Sequence, residues 1–86
     1  MIHRTTERFW ECYWKLPREV RDLADRSFAI LKENPRHPSL QFKKVGRLWS
    51  ARVGLAHRAL AVEENDNFIW VWLGTHGAYE VLIRCR

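Results

Sequence analysis

The period of hydrophobic and polar positions changes once along the chain. From Thr5 to Trp14, in TTERFWECYW, Phe9, Trp10, Tyr13 and Trp14 recur at helical spacing behind a threonine, Thr5 or Thr6, that suits an N-cap. KLPREVRDLADRSFAILKENP is the clearest element. Val20, Leu23, Ala24, Ser27, Phe28 and Leu31 follow i, i+3, i+4 spacing and define one buried stripe. Pro17 suits the first turn, where its missing N–H costs nothing. Asn34 ends the helix, because the residue before Pro35 avoids the helical region. Joined across Lys15–Leu16, the two segments predict a helical hairpin.

After the connector NPRHPSL, stiffened by Pro35 and Pro38, the period falls to two. LQFKKV predicts a first strand, with Leu40, Phe42 and Lys44 on one side, and Gly46–Arg47 a turn. In LWSARVG, Trp49, Ala51 and Val53 face one way and Ser50 and Arg52 the other. HRALAVEE alternates Leu60 and Val62 against Ala59 and Ala61, and the composition of ENDN marks the next turn. FIWVWLG is apolar on both faces, the pattern of a central strand covered twice. AYEVLIR fits a final helical turn or a final strand. Strands joined by tight turns pair antiparallel. The expectation is a single α+β domain over residues 1–86. Its two N-terminal helices pack on one face of a twisted, mainly antiparallel sheet of three to four strands.

Composition supports a globular chain. Hydrophobic residues are 47% and aromatic residues 13% of 86, far from the disordered signature. Five tryptophans give a short chain large side chains to bury. No stretch approaches the roughly 20 apolar residues of a membrane span. MIHRTTERFW has no apolar run before a small-residue cleavage site, so no signal peptide is expected and a cytoplasmic setting is. Cys12 and Cys85 form no C-x-x-C pair. A single disulfide would join opposite ends of the chain, and two reduced thiols are the expectation in the cytoplasm.

Charge sharpens the picture. The net +5 comes from 15 basic and 10 acidic residues, and no acid lies between Asn34 and Val62. Arg36, Lys43, Lys44, Arg47, Arg52 and Arg58 all fall in that stretch, so the whole positive excess sits there. A solvated basic face is one reading; a footprint for a polyanion or an acidic protein partner is the other.

No phosphate loop, dinucleotide fingerprint or metal-ligand cluster appears, and no cofactor is expected. His3, His37, His57 and His76 are scattered. Arg52 and Arg58 flank the turn GLAH. A three-residue loop would set them opposite one another; a two-residue loop would put them on opposite faces. Facing arginines repel unless an anion bridges them, and the alternative is a strand-edge position or pairing with Glu63, Glu64 or Glu80. His76 follows the glycine and threonine that end the apolar strand, and imidazole suits acid or base work near neutral pH. A structural histidine fits the same pattern. Tyr79 reads either as a stacking residue for a base or as an aromatic plug. Lys43 and Lys44 point to opposite faces of their strand, so at least one is free for phosphate contact.

The set LP.EV…A…F..LK.NPRHPSLQFKKVG..WS.RVG…RALA followed by W.WLGTH..Y resembles the RelE/ParE superfamily of bacterial type II toxins, from about Phe9 to Leu82. The resemblance implies a growth-inhibiting toxin held by a cognate antitoxin, with two N-terminal helices on an antiparallel sheet. For the RelE-like branch it implies a metal-independent endonuclease acting on mRNA in the ribosome by attack of the ribose 2′-hydroxyl. Position by position, Arg52 matches a strand lysine or arginine near the phosphate, and Arg58 an arginine that stabilises the transition state. His76 matches a general acid and Tyr79 a late aromatic at the cut nucleotide. Lys43, Lys44 and Arg47 would contact RNA. No glutamate precedes Arg52 in its strand, so the base is unassigned, with His57 and Lys44 as candidates. ParE-type members, which poison DNA gyrase by binding, share the implied fold; a degenerate toxin that binds only its antitoxin is a third reading.

Overall fold

The computed structural model describes residues 2–84. Cys85, and with it any pairing to Cys12, lies outside the described residues. The elements run β1 (His3–Thr5), α1 (Glu7–Trp14), α2 (Arg18–Glu33), a 3-10 turn (Pro38–Leu40), β2 (Lys43–Val45), β3 (Leu48–Val53), β4 (His57–Glu64), β5 (Asn67–Thr75) and α3 (His76–Arg84). The sheet order is β1-β5-β4-β3-β2.

Two differences from the expected architecture matter. The sheet has five strands rather than three or four, and its first strand pairs parallel to β5, His3 opposite Phe68 and Thr5 opposite Trp70. Three mostly polar residues carry no periodicity, so β1 is invisible until β5 offers it an edge. The second difference is α3. It packs against β4 and β5 from the side opposite α1 and α2, so the helices cover both faces of the sheet. The ambiguous AYEVLIR is thereby helical.

The N-terminal caps follow from local chemistry. The Thr6 hydroxyl accepts from the Phe9 N–H at 3.2 Å and donates to the Trp70 carbonyl at 3.0 Å, joining the start of α1 to β5. Thr5 instead accepts from the Trp10 indole at 2.9 Å. Pro17 stands just before α2, its carbonyl accepting from Val20 and Arg21. The hairpin is tied by the Tyr13 hydroxyl donating to Asp25 at 2.9 Å and by Arg21 over the Trp14 ring. One core unites these helices with the sheet: Phe9, Ala24 and Leu31 pack against Ala51, Val53, Ala59, Phe68, Trp70 and Leu73. Of the five tryptophans, Trp70 is fully buried, Trp49 and Trp72 are half-buried, and Trp10 and Trp14 are exposed, Trp14 by 65%. The aromatic repeat of α1 is therefore only partly a core stripe.

The predicted strand from Leu40 is shorter than expected. Leu40 is buried from the 3-10 turn, and Gln41 then takes a left-handed conformation, φ 43°. Pairing starts only at Lys43, opposite Ser50. The turns are as composition dictates: Asn65 and Asp66 both have positive φ in the β4–β5 hairpin.

β5 carries an irregularity that decides the site. Leu60 pairs with Trp72 and Ala61 with Trp70, which leaves Val71 as an extra residue. Strict alternation would put Trp70 and Trp72 on one face. The bulge instead keeps Trp70 in the core and turns Trp72 and Gly74 to the face that holds Arg58.

Candidate anion-binding cleft

The β3–β4 loop is Gly54-Leu55-Ala56, three residues, and Arg52 lies opposite Arg58. Gly74 is opposite Arg58 on its other side. The row Arg52, Arg58, Gly74 thus crosses three adjacent strands on the face that α3 covers. Gly74 has no room for a side chain: a Cβ there would lie 2.5 Å from Cζ2 of Trp72, whose indole folds back over it.

The segment LGTHGAY is then legible residue by residue. Gly74 admits the Trp72 ring. Thr75 caps α3, its hydroxyl accepting from the Ala78 N–H at 3.1 Å. The His76 N–H donates to the Ala56 carbonyl at 2.7 Å, tying the end of β5 to the β3–β4 loop. Three residues on, Tyr79 returns one helical turn later to lie beneath the strand face, 3% exposed.

An open cleft of about 220 Å³ results, lined by Gln41, Arg52, Leu55, His57, Arg58 and His76. Arg58 is its centre. It is 7% exposed, and donates to the Ser50 hydroxyl and to the Gln41 side-chain carbonyl, each at 2.9 Å. Its guanidinium carbon sits 5.2 Å from the Tyr79 ring centroid. Among the described residues no carboxylate comes within ion-pair distance of Arg58 or Arg52. Buried arginines are ordinarily matched by an acid. Here neutral oxygens and a π face hold the cation without cancelling its charge, and the unused donors are left for an anion. Gln41 does this from a backbone conformation that costs about 1–3 kcal/mol for a residue other than glycine.

Arg52 is half-buried, and its Nε donates to the Gly54 carbonyl at 2.9 Å, which leaves its other nitrogens toward the cleft. His76 stacks on Tyr79, ring centroids 5.8 Å apart and planes 23° apart, and its Nε2 lies 3.2 Å from Oε1 of Glu80. Tyr79 therefore forms a floor shared by Arg58 and His76, and its ring is not open to stacking by a base. Lys43 is exposed on the Arg58 face, opposite Ser50; Lys44 is exposed on the other face, opposite Trp49. Arg47 is exposed in the β2–β3 turn, at the end of β3 away from the cleft. Of the two candidate bases, His57 lines the cleft although strand alternation sets it on the helix side, opposite Val53. Lys44 does not reach the cleft.

Gln41, Ser50, Leu55 and Glu80 belong to this site and carry no sequence signal of their own as a group. Ser50 was readable as a small polar residue sharing a strand face with Arg52, and Glu80 as a partner for the arginines, whereas it meets His76 instead. Among the described residues no group of three His, Cys, Asp or Glu side chains could hold a metal ion. No described helix is long and apolar enough to cross a membrane.

No family model and no curated protein matches the sequence. Solved structures do match over nearly the whole chain. The RelB–RelE antitoxin–toxin complex of Methanococcus jannaschii superposes with a TM-score of 0.71 at 13% identity, covering 92% of this chain and 96% of that one. YafQ of E. coli gives 0.71 at 10% identity, over 90% and 94%. The isolated E. coli RelE toxin gives 0.63 at 14% identity, over 99% and 98%. The chain has the fold of the RelE/ParE toxins.

Proposed function

We propose that this protein is the toxin of a type II toxin–antitoxin system and cleaves mRNA on the ribosome without a metal ion. The observation that carries the reading is Arg58: a buried guanidinium with no carboxylate partner among the described residues, beside Arg52 and His76 in one open cleft. The likeness to toxins, one of them bound to its antitoxin, supports a cognate antitoxin as partner.

The chemistry uses only this chain's side chains. The ribose 2′-oxygen attacks the adjacent phosphorus, and the bond to the 5′-oxygen breaks. The products are a 2′,3′-cyclic phosphate and a free 5′-hydroxyl. Arg58 and Arg52 stabilise the added negative charge on the phosphorane. His76, as imidazolium, donates a proton to the departing 5′-oxygen. His57 is the remaining titratable group of the lining residues for the 2′-hydroxyl proton. Tyr79 holds Arg58 and His76 in register. Lys43, on the same face, is placed for backbone phosphates, with Arg47 and Lys44 as more distant RNA contacts.

The test is to add purified protein to ribosomes programmed with a defined mRNA and map the new 5′ ends. Codon-phased cuts with 2′,3′-cyclic phosphate ends, lost in Arg58→Ala and His76→Ala, are expected. Intact mRNA together with gyrase-dependent DNA breaks in expressing cells would overturn the nuclease and leave the ParE-like reading.

A further inference from the structure

The contact between Nε2 of His76 and the Glu80 carboxylate runs against the helix that carries it. His76 is the first residue of α3 and Glu80 lies one turn on. A helix N-terminus carries partial positive charge, so it disfavours a cation there. Such i,i+4 pairs support a helix best when the acid comes first, and here the order is reversed. Both side chains are also well exposed, 53% and 39%, where ion pairs contribute little to stability. Thr75 already caps α3 and Tyr79 already anchors it. Helix stability does not account for the pair.

Its effect on the imidazole does. The ring is held twice, by the stack on Tyr79 and by the Glu80 carboxylate at Nε2. Nε2 is occupied, so Nδ1 is the nitrogen left to work in the cleft that His76 lines.

We propose that Glu80 is a positioning residue for His76: it accepts from Nε2–H, fixes the ring's tautomer and orientation, and makes Nδ1 the proton-handling atom. This rests on the nuclease reading. In the cleavage step Nδ1–H passes its proton to the 5′-oxygen as the phosphorus–oxygen bond breaks. The neutral ring keeps Nε2–H on Glu80, and Nδ1 is reprotonated from solvent. Glu80 does not line the cleft and touches no substrate.

Two measurements on the full chain test this. Nitrogen-15 NMR of the imidazoles, with His76 assigned by comparison with His76→Ala, reports the neutral tautomer. Single-turnover cleavage on programmed ribosomes reports the chemical step. In the wild type the Nε2–H tautomer dominates. Glu80→Ala mixes the tautomers and lowers kcat at least about tenfold at unchanged KM, a share of the roughly 10²–10⁴-fold a placed acid supplies. Glu80→Gln, which keeps an acceptor and nearly the same shape, retains the tautomer and recovers part of the rate. It also carries the test if the alanine variant misfolds. Cleavage by the wild type with tautomer and kcat unchanged in both variants would overturn the positioning role alone. No cleavage by the wild type would overturn the nuclease reading, and the positioning role with it.

Discussion

Replacing Arg58 and Ser50 together is expected to leave the protein as stable as before and, on the proposed nuclease reading, to slow cleavage steeply. Arg58 gains two charged hydrogen bonds, to Ser50 and Gln41, at about 1.5–3 kcal/mol each, and a desolvated cation–π contact of about 2 kcal/mol. Against this stands the removal of a guanidinium from water, which costs several kcal/mol. The two sides nearly cancel. Arg58→Met, of similar length and uncharged, removes both and leaves the fully buried Ser50 hydroxyl without a partner. That orphan costs about 1–3 kcal/mol. Ser50→Ala alone takes one acceptor from a buried cation and costs a similar amount. In the double variant neither defect exists, so the cycle shows a coupling equal to the sum of the two single costs, about 2–6 kcal/mol, the lower end of which is usual for residues in one network. Urea unfolding followed by tryptophan fluorescence and far-ultraviolet circular dichroism measures all four proteins. Cleavage in the double variant falls about 10²–10³-fold, the usual loss on deleting one transition-state donor. Costs that add to within about 0.5 kcal/mol would refute the reasoning, because Arg58 and Ser50 would then not share one satisfied network.

Gln41→Glu gives Arg58 a carboxylate partner; stability in urea rises by about 1 kcal/mol or more, whereas on the nuclease reading cleavage drops because the cation is neutralised. A variant that is both stabilised and fully active would contradict the anion-site reading. Gly74→Ala drives a Cβ against Trp72, 2.5 Å from Cζ2, and lowers stability by about 1–3 kcal/mol in a thermal melt; an unchanged melting temperature would show that the indole moves aside freely. Burial, with Lys32 nearby, pushes the His3 imidazole below its ordinary 6.5, and Trp70 donates to its Nδ1 at 3.2 Å. The folded state therefore favours neutral His3. Its contribution is complete above about pH 6.5 and is lost as the pH falls from there through the lowered folded value. Urea midpoints measured across that window should decline in the wild type and decline less in His3→Leu; identical slopes would exclude His3 as the source.

Helical and strand periods made α1, α2, β3, β4 and β5 readable, because each carries a run of apolar positions, although α1 buries only Phe9 of its aromatic repeat and β5 is broken by a bulge. The pattern failed where backbone pairing or a single residue overrides periodicity. β1 exists because β5 has a free edge beside the capping Thr6. β2 is cut short because Gln41 turns left-handed. α3 follows from the Thr75 cap and the burial of Tyr79, neither of which a short mixed segment announces. Basic residues were visible as a cluster, but their individual fates were not. Arg58 is buried at the cleft, Arg52 borders it, and Lys44 and Arg47 stand away from it.

The sequence by itself determined the helical hairpin, the antiparallel core of the sheet and the acid-free basic segment that crosses it. These depend on composition and spacing within a few residues. It also narrowed the relation of Arg52 and Arg58 to the length of one loop. Only the tertiary structure decided that this loop has three residues and that a bulge at Val71 turns Gly74 and Trp72 to the arginine face. It also decided that Tyr79 is buried against Arg58 and His76 and is not a stacking surface, and that Glu80 meets His76 and neither arginine. The reason is physical. Which face a strand residue occupies depends on register, and register is set by partners far along the chain. Whether a buried cation keeps its charge for a ligand depends on what surrounds it in space.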